Sequence, residues 1–396
     1  MHQDQTVPRS RLLPMVPRRP EEPGRVASSL ELFFDLVFVV AVSTASQNLH
    51  HLMAEGHVAD GLLHYGMAFF GIWWAWMNFS WFATSFDTDD WLYRVFTIVQ
   101  MAGVLVLAAG LEPAFLDNNY AVLVIGYVIM RVAMVCQWLR ASRCGGPAGR
   151  SARIYGLSIL LVQILWIAWL LIPVGGTQLV GFVILMLAEI SVPVIAEKAG
   201  GTPWHPHHIT ERYSLFTLIV LGESLTASTN AIIESLHGDQ DFADLISIAV
   251  LALVVTAGLW WIYFWPEHHK AITTFSSSLR YGYGHYFVFA AAAAFSVGIE
   301  LEIDQLGEAP ALPAVAASYA VAIPVAVFLL GVWGTAYVKQ SDPVVNTAVP
   351  VAACLVLLDP VLPLAVAVTA GVIVALVVVL VIRRPVAGSP AQDESN

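Results

Sequence analysis

About a dozen apolar stretches, each roughly twenty residues long, follow one another between Ser29 and Ile382, separated by short polar connections. Little else constrains a chain so strongly. A segment of that length inside hydrocarbon must satisfy every backbone N–H and C=O within itself, so each stretch is read as a helix. Apolar residues make up 58% of the chain and charged residues 12%, and mean hydropathy is +0.72. A soluble chain carries about twice that charged fraction. In 396 residues the helices leave no room for a soluble catalytic domain. The expected fold is therefore an all-α polytopic membrane protein of about twelve transmembrane helices.

The spans are placed near 29–49, 60–82, 92–111, 120–140, 154–173, 177–196, 209–233, 243–265, 280–300, 313–338, 344–358 and 361–382. The eleventh is short and is divided from the twelfth at Asp359-Pro360, where a re-entrant pair is the alternative. Residues 1–27, with Arg9, Arg11, Arg18, Arg19, Arg25 and several prolines, read as a disordered basic tail, and 385–396 as a second tail. No apolar core precedes Leu30, so a cleaved signal peptide is not expected. Cys136, Cys144 and Cys354 have no framework spacing, and no disulfide is expected.

Charge placement orients the chain. Arg94, Arg140, Arg143, Arg150, Arg153, Lys198, Arg212, Lys270, Arg280, Lys339, Arg383 and Arg384 fall at connections on the side of the basic tail. The opposite connections hold Glu55, Asp60, Glu112, Asp117, Glu234, Asp239, Asp241, Asp244, Glu302, Asp304 and Glu308 without a Lys or Arg. By the positive-inside rule both termini are cytoplasmic, in a bacterial cytoplasmic membrane. Arg131 alone among the basic residues fails to reach the inner face.

The chain also reads as doubled. Glu31 and Glu211 both open a helix, GIWWAW at Gly71 is echoed by GLWWIY at Gly258, and Glu112 by Glu300. The offsets are nearly constant, suggesting six-helix repeats over 28–197 and 205–384 in the same orientation. Resemblance by apolar composition alone is the plainer alternative.

Ionisable residues inside the spans are the candidate site. HITERYSLFTLIVLGESLTASTN, from His208 to Asn230, opens with Glu211 and Arg212, and carries Glu223 ~22 Å along the helix, past the bilayer midplane. Arg212, Glu223 and Asn230 share one stripe of it. The first span puts Glu31 and Asp35 one turn apart. Arg131 and Glu189 come out at ~12–14 Å depth, with His285, Gln100 and Gln163 near the same level. An arginine there must face a partner or water, and Asp35 and Glu189 match it by depth. One arginine against Asp35, Glu189 and Glu223 leaves an acid to hold a proton or cation in transit. The reading is a transporter or channel for a small solute or ion, with Asp35, Glu223, Arg131, Glu189, Glu31, Glu211, Arg212, Asn230 and His285 along its pathway. A static polar network that holds helices together in a non-transporting membrane factor is the alternative.

Other signals are weak. His205, His207 and His208 share a face with His268 and His269, but no Cys or carboxylate spacing supports a metal site. Ser224 beside Glu223 has no base to activate it, so an enzyme is not expected. No phosphate loop, dinucleotide fingerprint or nucleic-acid surface is present, and no cofactor is implied. The expected partners are the lipid bilayer, the unknown solute, and a second copy in a homo-oligomer.

SSLELFFDLVFVVAV (Ser28 to Val42) and HITERYSLFTLIVLGES (His208 to Ser224) together resemble the bacterial low temperature requirement protein A family, over about Ser28 to Arg384. That resemblance implies a polytopic bacterial membrane protein linked to growth in the cold, without a settled activity. FFDLVFVVA is also loosely similar to the opening helix of lysosomal and prokaryotic potassium channels built from six-helix repeats. Phe34 stands where those channels have Ser, and the second repeat lacks the Asp.

Overall fold

A computed structural model describes residues 12–235, 242–307, 310–338, 342–362 and 366–383, and all regular structure among them is helical. The helices are α1 (Ser29–Ala54), α2 (Val58–Phe86), α3 (Trp91–Ala109), α4 (Leu111–Leu116), α5 (Ala121–Ala141), α6 (Gly146–Trp169), α7 (Gly176–Ala199), α8 (Pro206–Ser235), α9 (Phe242–Phe264), α10 (Phe275–Asp304), α11 (Ala314–Val332), α12 (Pro343–Val356) and α13 (Ala367–Arg383).

Among the described residues, nine helices are long and apolar enough to cross a membrane. At 29 and 30 residues α2 and α8 are as long, but their Trp, His, Ser and charged residues dilute the apolar signal. α13 is apolar but has 17 residues. The span expected at 92–111 stops at Gly110, where the chain turns into the short α4.

Local chemistry sets the helix starts. Ser28 caps α1 in a capping box with Glu31. Asp90 caps α3, accepting from Tyr93 N, and Thr274 and Ser277 form the box of α10. Gly145 (φ 72°) and Gly146 (φ 62°) make the left-handed turn between α5 and α6, a conformation that disfavours any Cβ.

α1, α2, α8 and α10 pack on one another at the centre. There the Trp76 indole stacks 4.5 Å from Phe216 and meets Phe289 edge-on at 5.4 Å. α3 against α5 and α10 against α11 are the tightest pairs, and small residues allow it. A Cβ on Gly126 would lie 2.2 Å from Leu107 N. Gly126→Ala should therefore cost about 1–3 kcal/mol, read as a lower melting temperature of the detergent-solubilised protein.

Arg18, Arg25, Arg140, Arg150 and Lys198 gather at one end of the bundle, here termed the basic end. Residues 12–27 depart from the disordered tail expected there. Arg18 and Arg25 pair with Asp87, at 3.3 and 3.5 Å, and Met15 is buried. Arg140 binds the Asp90 carboxylate and donates to Leu13 O, while Leu13 N donates to Asp90 Oδ2. In the α2–α3 turn Asp87 gives Arg18 and Arg25 of this segment a fixed partner, and Asp90 holds its backbone at Leu13.

Candidate functional site

Inside the helices of the bundle the buried arginine–carboxylate pairs form two centres, and α2 stands between them. In the first, α1 contributes Glu31 and Asp35 and α8 contributes Arg212, all without solvent exposure. Arg212 Nε and Nη2 donate to the two Asp35 oxygens at 3.2 and 2.5 Å, and Nη1 donates to Glu31 Oε1 at 3.0 Å. Trp76 Nε1 donates to Asp35 Oδ1 at 2.7 Å. The guanidinium also lies against the Trp76 and Phe79 rings, 6.0 and 5.8 Å from their centroids. His208 Nε2 lies 3.2 Å from Glu31 Oε1, and its buried Nδ1 has no hydrogen-bond partner among the described residues. Glu31 Oε2 meanwhile accepts from Ser28 N, so the carboxylate that caps α1 also anchors α8.

In the second centre Glu189 of α7 accepts four hydrogen bonds, each 2.9 Å long. The donors are Arg131 Nη2 and Tyr127 OH of α5, Gln163 Nε2 of α6 and Trp74 Nε1 of α2. Trp74 and Trp76, two residues apart, project about 200° apart around α2, so one indole serves each centre.

The two centres correct the charge count made from sequence. Arg212, assigned there to the inner face, is fully buried and takes Asp35 and Glu31. Among the described residues two buried arginines lie inside the helices, not one, and Arg131 pairs with Glu189 but not with Asp35. Glu211 is half-buried and accepts from Ala27 N at 3.2 Å. Glu302, expected in a loop, is buried in α10 and accepts from Ser318 Oγ at 2.6 Å.

The remaining sequence-selected residues stand apart. Glu223 is half-buried further along α8, away from Asp35, and within electrostatic range of Glu300 on α10. Glu300 lies 3.5 Å from His50 Nδ1, and His50 Nε2 is 2.8 Å from Asp304. Asn230 is exposed near the end of α8. His285 belongs to a neutral network: its Nδ1 donates to Tyr281 O at 2.7 Å, so its Nε2 accepts from Tyr263 OH at 2.9 Å. Beside it, in the α9–α10 connection, burial pushes His268 down to about 4, and Nε2–H donates to Tyr263 O. Among the described residues no group of three His, Cys, Asp or Glu could hold a metal ion.

Two recesses are aromatic-lined. One, of about 570 Å³ counting the part open to solvent, lies at the basic end between α2, α5, α6, α7 and α10. The other, of about 410 Å³, lies beyond Tyr127 and Trp166. Neither Asp35 nor Glu223 lines them, so the shared cavity that a joint role for these two acids calls for is not found there.

Residues 26–382 match the family described as bacterial low temperature requirement A protein (LtrA). The chain belongs to the LtrA family. A curated relative of this LtrA protein is an uncharacterized protein of Rhizobium meliloti (strain 1021), 26% identical over 264 residues. The match covers 62% of this chain and 60% of that relative's length. The looser likeness of α1 to potassium channels gains no support from these matches, and Asp35 is held by Arg212.

Sequence reasoning named Arg212 on the pathway but counted it at the inner face, and so missed its burial against Asp35 and the indoles of Trp74 and Trp76 that serve the two centres. A signal was there: Glu31 and Asp35 repeat at i, i+4, as do His208 and Arg212, so two helices each offer two polar groups one turn apart.

Proposed function

We propose that this LtrA-family protein carries a small solute or ion across the bacterial cytoplasmic membrane. In this reading it has twelve spans in two parallel six-helix repeats, both termini are cytoplasmic, and Glu223 is the ion-handling carboxylate. The observation that carries it is the state of Glu223, which among the described residues has neither an arginine nor a hydrogen-bond partner, while Glu300 stands in electrostatic range. A half-buried carboxylate with no fixed cation is open to an ion in transit. The Arg212 and Arg131 centres then form the rigid or shifting joints between helices. Close crossings at Gly110, just past the end of α3, and Gly298 of α10, 188 residues apart by subtraction, support the repeat.

Purified protein in vesicles tests this. Glu223→Gln should cut electrogenic, pH-dependent flux by at least about tenfold while folded yield stays unchanged. Unchanged flux would remove Glu223 from the mechanism. The second reading, a non-transporting factor with a structural polar network, is favoured by the saturation of Glu189 with four donors. It requires that no ion or solute flux exceed that of empty vesicles.

A further inference from the structure

We propose that the aromatic recess at the basic end binds a small organic ammonium ion that also carries an oxygen acceptor. The recess is walled by Trp81, Trp138, Tyr155, Trp204 and Tyr283. Trp138 and Tyr155 stack at 4.2 Å with their rings nearly parallel, and Trp81 meets Trp204 edge-on at 6.3 Å. Aromatic rings bordering one space suit an ammonium group with its methyl or methylene substituents.

The single carboxylate in the lining decides the sign of the ligand. Glu197, on the last turn of α7, accepts from Tyr155 OH at 2.9 Å and from Thr202 N and Oγ1 at 2.8 and 2.7 Å. Those neutral donors hold the carboxylate in place without neutralising it. Among the described residues Glu197 makes no ion pair, although this end of the bundle is rich in arginine. Arg150, on neighbouring α6, donates to Ala199 O. A fixed, uncompensated carboxylate beside aromatic faces complements a cation. Trp138 adds the second requirement: its indole N–H is buried and has no hydrogen-bond partner, and an oxygen on the ligand would answer it. Asn78, Ser278 and Thr202 supply further polar lining in an otherwise apolar site, the usual composition of a small-molecule pocket.

The inference concerns binding and stands whether or not the protein transports anything. Its test uses full-length protein in nanodiscs of phosphatidylglycerol, which carry no choline. Choline and its uncharged isostere 3,3-dimethylbutan-1-ol are titrated by calorimetry and tryptophan fluorescence. Choline should bind saturably and about tenfold or more tighter than the isostere. Glu197→Gln, whose one oxygen can still accept from Tyr155 and Thr202 Oγ1 while the acceptor for Thr202 N is lost, should erase that difference in a variant that still folds, checked by its melting temperature. Trp204→Leu, on a connecting segment, should weaken choline more than the isostere. Equal binding of the two probes, no saturable signal, or a Glu197→Gln variant that still prefers choline would overturn the proposal. Competition by phosphatidylcholine nanodiscs would overturn the assignment to a free solute in favour of a lipid headgroup.

Discussion

Arg212→Ala should lower the stability of the bundle by about 3–5 kcal/mol, the largest loss expected of any single substitution in α8. The cost comes less from the lost attraction than from what is left behind. Glu31 and Asp35 have no solvent exposure, and among the described residues only Arg212 gives Asp35 a cation. Without it two carboxylates one turn apart face each other in a medium that cannot hydrate them. The triple change Arg212→Met, Glu31→Gln, Asp35→Asn removes the charges together and should recover most of the loss. Unfolding in mixed detergent and denaturant, followed by tryptophan fluorescence, gives the comparison. If the single variant is as stable as the parent, the centre is not a closed ion pair in solution.

The second large effect is expected at Glu189. Glu189→Ala strips the acceptor from Arg131, Tyr127, Gln163 and Trp74 at once. Arg131 is 1% exposed, and its Nε and Nη1 already have no partner. A loss of about 3–5 kcal/mol is again expected, reduced in the Glu189→Leu, Arg131→Met pair. The two centres share no residue, so the Glu189 and Arg212 losses should add to within about 0.5 kcal/mol. A coupling well above that would show that α2, with Trp74 in one centre and Trp76 in the other, transmits strain between them.

Much of this architecture was legible in the sequence, for a physical reason. Hydrocarbon allows only helices, so apolar run length places the elements directly, and each span anticipated between 29 and 382 overlaps a helix. The proximity of Arg131 and Glu189 was legible too, because helix rise converts position into depth. What depth cannot give is azimuth. Asp35 and Arg131 come out at similar levels, yet Asp35 faces α8 and Arg131 faces α7. Arg212 was misplaced because its neighbours His207, His208 and Glu211 make the start of α8 read as a surface connection. The N-terminal segment was misread because its proline and arginine content resembles that of unstructured tails, while Asp87 and Asp90 lie in another part of the chain.

The joint between α1 and α8 also sets an order of assembly. Asp35 is separated from Arg212 by 177 residues, so a ribosome delivers both carboxylates of the first helix to the membrane long before their cation exists. Until α8 arrives, that helix carries two acids with no counter-ion and has to wait near the interface or take up protons. The first half of the protein therefore cannot reach its mature position alone, and a fragment ending before α8 should be a substrate for quality-control proteolysis, not a stable subdomain.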